Sequence, residues 1–152
     1  MSIPILPIEG SCMCHQCRMR VSVAPIITMA CHCKGCQKLS ASAFSLTAMV
    51  PAAGFELIAG KTKIGALHGA IPYIYCANCL NWLYTELSSA PFVNVRSTMF
   101  DVPAWSTPFI ESNVGEKLAW ATTPAKRSFE KFPDPHQYGP LMAEFAALQA
   151  SG

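Results

Sequence analysis

Three cysteines fall within six positions in CHCKGCQ (31–37), and the same C-x-C-x-x-C spacing stands upstream in CMCHQC (12–17). A third group, CANC, follows at 76–79, so eight cysteines are divided three, three and two. Disulfides, redox thiols and a thiolate-held metal are the chemistries such a pattern can serve. In an extended stretch, residues two apart point to the same side, so C-x-C aims two sulfurs at one centre. C-x-x-C folds into a tight turn whose backbone N–H groups point at the sulfurs, and zinc takes four such ligands as a tetrahedron at ~2.3 Å.

A closed structural site needs four thiolates, and neither run of three supplies them alone. Pairing Cys12 and Cys14 with Cys76 and Cys79 completes one site and leaves Cys31, Cys33 and Cys36 as a three-thiolate set. Three protein ligands and one open position are the arrangement of a working zinc. Three thiolates on Zn²⁺ already carry a net negative charge, which suits another sulfur better than it suits polarising a carbonyl. Zinc would lower the pKa of that incoming thiol and present a nucleophilic thiolate. The local chemistry therefore favours a thiol substrate over hydrolysis. The competing reading is a scaffold in which both metals are structural, with Cys17 or His15 closing the second site. We expect Cys17 to be a buried, inert thiol and His15 a surface loop residue. His32, between two ligands, should point away from the metal and make a supporting hydrogen bond. The spacings do not follow the common ferredoxin patterns, so iron–sulfur chemistry is disfavoured.

Composition narrows the setting. A chain of 152 residues is most simply one domain and buries roughly two-thirds of its unfolded surface, so it does not need disulfides to hold a core. Net charge is +2 with no basic run, which gives no case for nucleic acid or an anionic membrane. The opening MSIPILPIEG lacks a basic n-region and is interrupted by Pro4 and Pro7, so a reducing cytoplasm is the expected location. Only 13% of residues are charged. A surface so sparingly charged leaves room for a second copy of the chain, a homodimer.

The elements that must position these thiols read as mostly β. Residues 18–23 alternate, with Met19, Val21 and Val23 on one face, and Ala24-Pro25 turns the chain back into 26–30. That hairpin would bring the two cysteine runs to the same end and close in space. Further strands are expected at 43–50, 55–58, 63–67, 71–75, 82–86 and 92–96, punctuated at Pro51, Gly54, Gly60, Gly69 and Pro91. One short helical turn should follow Cys33, and 140–150 reads as a C-terminal helix that covers its own core or a partner. Trp105 and Trp120 are expected to pack over the sheet. Lys34, Lys38 and Arg18 read as solvated side chains, and His68 and His136 carry no signal.

EGSCMC with RMRV after it, CHCKGCQKLSASAF, CANC and GEKLAWATTPAKRSFEKFP together resemble the glutathione-dependent formaldehyde-activating enzymes (GFA), whose domain also occurs in centromere protein V. The resemblance implies a β-tent zinc-binding fold with short peripheral helices, spanning 1–133, with 134–152 as a tail whose helix packs on the same domain. It implies two zinc ions per chain. Cys12, Cys14, Cys76 and Cys79 match the structural-zinc ligands, and Cys31, Cys33 and Cys36 match the ligands of the catalytic zinc. Gln37 and Ser42 fall in the matched motif as candidates for lining the substrate pocket. The implied activity is that of a carbon–sulfur lyase acting on thiol–aldehyde adducts, joining glutathione to formaldehyde as S-(hydroxymethyl)glutathione. The chain departs from the pattern at His15 and Leu80, where glycine is usual, and at Cys17, where the family has an apolar strand residue.

Overall fold

The structure is a computed structural model and describes residues 4–68, 71–87 and 89–151. The turn expected at Gly69 lies outside the described residues, and so does the side chain of His68. Among the described residues, eleven strands and three α-helices follow one another. The first stretch carries β1 (Ile8–Ser11), β2 (Arg18–Val21) and β3 (Ile27–Cys31), then α1 (Lys34–Ser40). Next come β4 (Ser45–Pro51), β5 (Phe55–Ala59), β6 (Thr62–His68), β7 (Ile71–Cys76), β8 (Trp82–Glu86) and β9 (Phe92–Arg96). α2 (Pro103–Ser106), β10 (Ile110–Ser112), β11 (Arg127–Ser128) and α3 (Tyr138–Ala150) complete it. The fold is mainly β, as the alternation of the sequence indicates.

Two sheets divide the strands. A small antiparallel sheet has the order β1-β2-β5, and a large one runs β11-β10-β3-β4-β9-β8-β7-β6. Met19 and Val21 of the small sheet meet Ala48, Val50, Leu83, Val93 and Val95 of the large one, with Phe100 and Trp105 completing this core. A face-to-face arrangement of this kind needs one apolar face per small-sheet strand, which is the alternation that RMRV supplies.

The expected hairpin of 18–23 with 26–30 does not form. β2 pairs with β1 and β5, whereas β3 pairs with β4 and, in parallel, with β10. All five residues of β3 are buried, which marks a central strand that must satisfy both of its edges. β2 has a solvated face, so it belongs to a different layer, and Ala24-Pro25 carries the chain across. The two cysteine runs accordingly enter separate sites.

α3 follows a turn at Pro135–Gln137 with a capping box, in which the Asp134 and Gln137 side chains satisfy each other's backbone. It covers the chain's own core: Leu141 and Phe145 pack with Ile27, Met29, Met49 and Phe109, the Phe109–Phe145 ring centroids lying 5.5 Å apart. Trp105 is buried in the core, but Trp120 is 74% exposed, contrary to the sequence expectation. It follows a run that contains Gly115, Glu116 and Lys117 and has no strand to seat it against the sheet. Among the described residues, no helix is long and apolar enough to cross a membrane.

Candidate metal centres and the cleft beside them

Two tight turns build the first cysteine group. The chain leaves β1 at Cys12, and His15 N–H closes back onto the Cys12 carbonyl at 2.9 Å. The turn after β7 does the same, Leu80 N–H bonding the Cys76 carbonyl at 3.1 Å. Each needs a residue in the left-handed region, and His15 and Leu80 both adopt it, at φ 61°. These are the positions where the sequence lacks the usual glycine, so non-glycine residues carry the strain there. Asn81 Oδ1 accepts from Met13 N–H at 2.7 Å and ties one turn to the other.

The four sulfurs of Cys12, Cys14, Cys76 and Cys79 lie within 4.8 Å of one another. Cys12 to Cys14 is 3.5 Å and Cys14 to Cys76 is 3.8 Å. A tetrahedron with ligands at ~2.3 Å requires sulfur–sulfur separations of about 3.8 Å, so the set fits zinc. The environment already favours thiolate at part of it. A hydrogen bond with Asn78 and the Gln16 backbone draw the Cys14 thiol down to about 6, while burial pushes Cys12 up to about 11. All eight cysteines are free thiols.

The second group uses the end of β3 and the start of α1. Cys31 closes the strand and Cys33 caps the helix, its sulfur accepting from Cys36 N–H at 3.3 Å. Cys36, one turn in, returns toward both. The three sulfurs again lie within 4.8 Å, all buried, and among the described residues no further Cys, His, Asp or Glu joins them. A hydrogen bond from Cys36 holds the Cys31 thiol down at about 5, and the same contact together with burial pushes Cys36 up. Burial raises Cys33 as well. One thiol ionises easily and its neighbours resist, because anionic charge accumulates in a dry place; a divalent cation relieves that conflict. This donor set fits zinc as well.

His32 lies between two of these cysteines and is fully buried, turned away from them, with Nε2–H donating to Glu111 at 3.0 Å. Glu111 in β10 also accepts from Lys117 Nζ, Thr123 and Ser128. Burial alone would raise its carboxyl, but these four donors outweigh it and hold the pKa at about 2. Asn113, left-handed at φ 57°, donates from Nδ2 to Cys31 Sγ at 3.4 Å. Glu116 accepts from Lys34 N–H, and its carbonyl receives Gln37 Nε2–H at 3.0 Å. The segment after β10 thus clamps the cysteine-bearing helix. Asn113 and Glu111 escaped the sequence reading because only the parallel β10–β3 pairing brings them here.

A cleft of about 330 Å³ adjoins this group, lined by residues that include Leu39, Ser42, Ser45, Leu80, Trp82 and Arg96. Leu39 and Trp82 also pack with the three thiols, and Ser45 is the ladder partner of Cys31. Ser42 lies on the cleft wall; Gln37 lines a shallow hollow with Lys34 and Trp120 instead. Trp82 stacks on Tyr73 at 4.7 Å and carries the Arg96 guanidinium 3.9 Å from its ring centroid.

Cys17 sits on the side of the four-sulfur group. It is fully buried, its S–H directed at the Lys61 carbonyl at 3.3 Å, and burial pushes the thiol up to about 12. His15 Nδ1 bonds Ser11 Oγ at 3.0 Å. Neither belongs to the three-sulfur set. Cys17→Ala should therefore keep the parent's zinc content by elemental analysis and lose roughly 1–2 kcal/mol of stability to a small packing defect. Loss of one zinc equivalent would make Cys17 a ligand.

The family model for the glutathione-dependent formaldehyde-activating enzyme matches residues 7–114, which include all eight cysteines. The chain belongs to the GFA family. A search of curated proteins finds no match. Among solved structures, the chain is similar to the crystal structure of a Rhodobacter sphaeroides protein from a structural genomics effort. That likeness has 14% identity and a TM-score of 0.51 over 62% of this chain and 88% of the other. It concerns the fold alone. The GFA match includes both cysteine groups and the whole of the cleft-bearing sheet region, β3 to β9, and it stops short of β11 and α3.

Proposed function

We propose that the chain makes and breaks the carbon–sulfur bond of thiol–aldehyde adducts at the Cys31, Cys33, Cys36 set. The substrate pair is the one in the family's description, glutathione and formaldehyde. The observation that carries this reading is a buried group of three sulfurs with no fourth side-chain ligand among the described residues, beside a cleft large enough for part of a small thiol. Zinc bound there would supply a soft Lewis acid that keeps a substrate thiol ionised near neutral pH. The reaction balances without an oxidant. The sulfur lone pair forms the bond to the aldehyde carbon, the carbonyl π pair moves to oxygen, and the proton given up by the thiol ends on that oxygen.

The chain's own residues set the conditions. Asn113 orients a Cys31 lone pair, the Cys36 N–H does so for Cys33, and the Tyr73–Trp82 stack keeps water from the sulfurs. Ser42 lies where a substrate would enter. The second zinc, at Cys12, Cys14, Cys76 and Cys79, is structural in this reading. Residues 1–133 form the zinc-binding domain, to which the tail at 134–152 is added. A reducing, cytoplasmic setting keeps both thiol sets available.

The test uses exchange-rate NMR with ¹³C-formaldehyde and glutathione. Zinc-loaded protein should accelerate adduct exchange, and Cys36→Ser should return it to the uncatalysed rate while the four-sulfur zinc stays bound. In the cobalt-substituted protein, glutathione should shift the thiolate-to-metal charge-transfer band. An unchanged band with unchanged exchange would overturn the proposal and leave the scaffold reading.

A further inference from the structure

Arg96 closes β9 with only 7% of its surface exposed. A guanidinium taken out of water is costly unless a carboxylate or several acceptors meet it. Among the described residues, no carboxylate pairs with this one. Its Nη2 donates to the Asn94 carbonyl at 3.3 Å, and its Nε has no hydrogen-bond partner. The other three arginines, Arg18, Arg20 and Arg127, each face a glutamate at the surface. Trp82 fixes the plane of the Arg96 group by stacking, which leaves its N–H edge as the functional part.

Arg96 belongs to the wall of the 330 Å³ cleft, together with Ser42, Ser45, Asn81 and Thr98 and with no Asp or Glu. The lining is therefore cationic and rich in hydrogen-bonding groups, the complement of a small anion. A carboxylate matches the guanidinium fork best, since two parallel N–H bonds can form at once. Trp82 touches both the cleft and the three-sulfur group, so an anion on Arg96 and a sulfur at Cys31, Cys33 and Cys36 would share one aromatic neighbour. A counter-charge for the thiolates accounts for a buried cation but not for a buried Nε left without a hydrogen-bond partner in a residue that lines a cleft.

We propose that Arg96 is a specificity-determining residue that binds the carboxylate of a substrate thiol, so that the chain takes acidic thiols in preference to neutral ones. This rests on the reading that a substrate sulfur reaches the three-cysteine set. The probes are 3-mercaptopropionate and its neutral isostere 3-mercaptopropionamide, titrated into ¹⁵N-labelled zinc-loaded protein and, in parallel, into the cobalt form.

The acid should shift the Arg96 Nε–H resonance and bind about 10- to 100-fold more tightly than the amide, the range for a charge-assisted hydrogen bond. Arg96→Gln should erase that preference and leave amide binding and metal content unchanged. Equal binding of acid and amide by the parent protein would overturn the proposal, whether or not the variant folds. Loss of zinc in Arg96→Gln would overturn it too, by making the arginine a counter-charge. An Nε–H shift with no change in the cobalt band would keep the anion subsite and sink the thiol-at-metal reading instead.

Discussion

Cys76→Ser should abolish the cooperative unfolding transition and remove one zinc equivalent per chain. Cys76 is fully buried at the end of β7, and its sulfur lies 3.8 Å from that of Cys14, 62 residues away in sequence. The four-sulfur group joins the turn between β1 and β2, in the small sheet, to the turn between β7 and β8, in the large one. Among the described residues no strand ladder joins those two sheets, and the small one has three short strands. Structural zinc contributes apparent free energies of about 10–16 kcal/mol in small metal domains. A whole domain is stable by only about 5–15 kcal/mol. Even a fraction of the metal term therefore exceeds what the apolar core can offset. Loss of one thiolate also leaves three sulfurs in a buried pocket, where burial penalises their ionised form. Thermal melting followed by near-ultraviolet circular dichroism, with elemental analysis, reads both effects. Cys36→Ser is the control: it should lose its own metal and still melt cooperatively, because the clamp of Glu116 on α1 and the β3–β4 ladder persist. A Cys76→Ser protein that melts within a few degrees of the parent would show that the four-sulfur group does not hold the sheets together.

The division of the sulfurs was legible because thiolate geometry is local. C-x-C and C-x-x-C constrain their own turns, and counting to four does the rest. The two-faced strand at Arg18–Val21 was legible for the same reason, since alternation is written into consecutive residues. The hairpin was misread because Ala24-Pro25 is a good turn in isolation. What contradicts it is ITMAC in β3, apolar on both faces and hence a strand that two neighbours must enclose. The residues that matter most beside the sulfurs were hidden by distance along the chain. Arg96 sits in the alternating FVNVR and looks like the polar phase of a strand; it is buried against Trp82 and interacts electrostatically with cysteines sixty or more residues upstream. Glu111 lies in the middle of a three-residue strand and Asn113 just after it, too short a segment for any periodicity, and their contacts with His32 and Cys31 arise only through a parallel pairing with β3. Charged residues in a short apolar segment carry a local signal of exposure, and tertiary partners override it.

Glu111→Gln should cost on the order of 3 kcal/mol at neutral pH and lower the melting temperature by roughly 10 °C. The carboxylate is 7% exposed and receives four donors, from His32, Lys117, Thr123 and Ser128. A neutral amide keeps the shape but leaves the half-buried Lys117 without its counter-charge, and its NH₂ meets groups that are themselves donors. The pH dependence identifies the source. The folded pKa, about 2, lies below the ordinary value of 4.5. The stabilisation is therefore fully present above about 4.5 and is lost as the pH falls through that value toward 2. The gap in melting temperature between parent and variant should stay constant from pH 8 to about 5 and narrow steadily below 4.5. A gap that persists undiminished at pH 3 would show that shape, and not the carboxylate charge, supplies the stability. The site should respond as well. Glu111 holds His32 between Cys31 and Cys33, and β10 delivers Asn113 to the Cys31 sulfur. Loosening that strand should weaken zinc at the three-sulfur set by about 10- to 100-fold, the usual cost of removing a residue that orients metal ligands, with the four-sulfur zinc unaffected. Competition with a chromophoric chelator measures the two affinities separately, because only one of them should move.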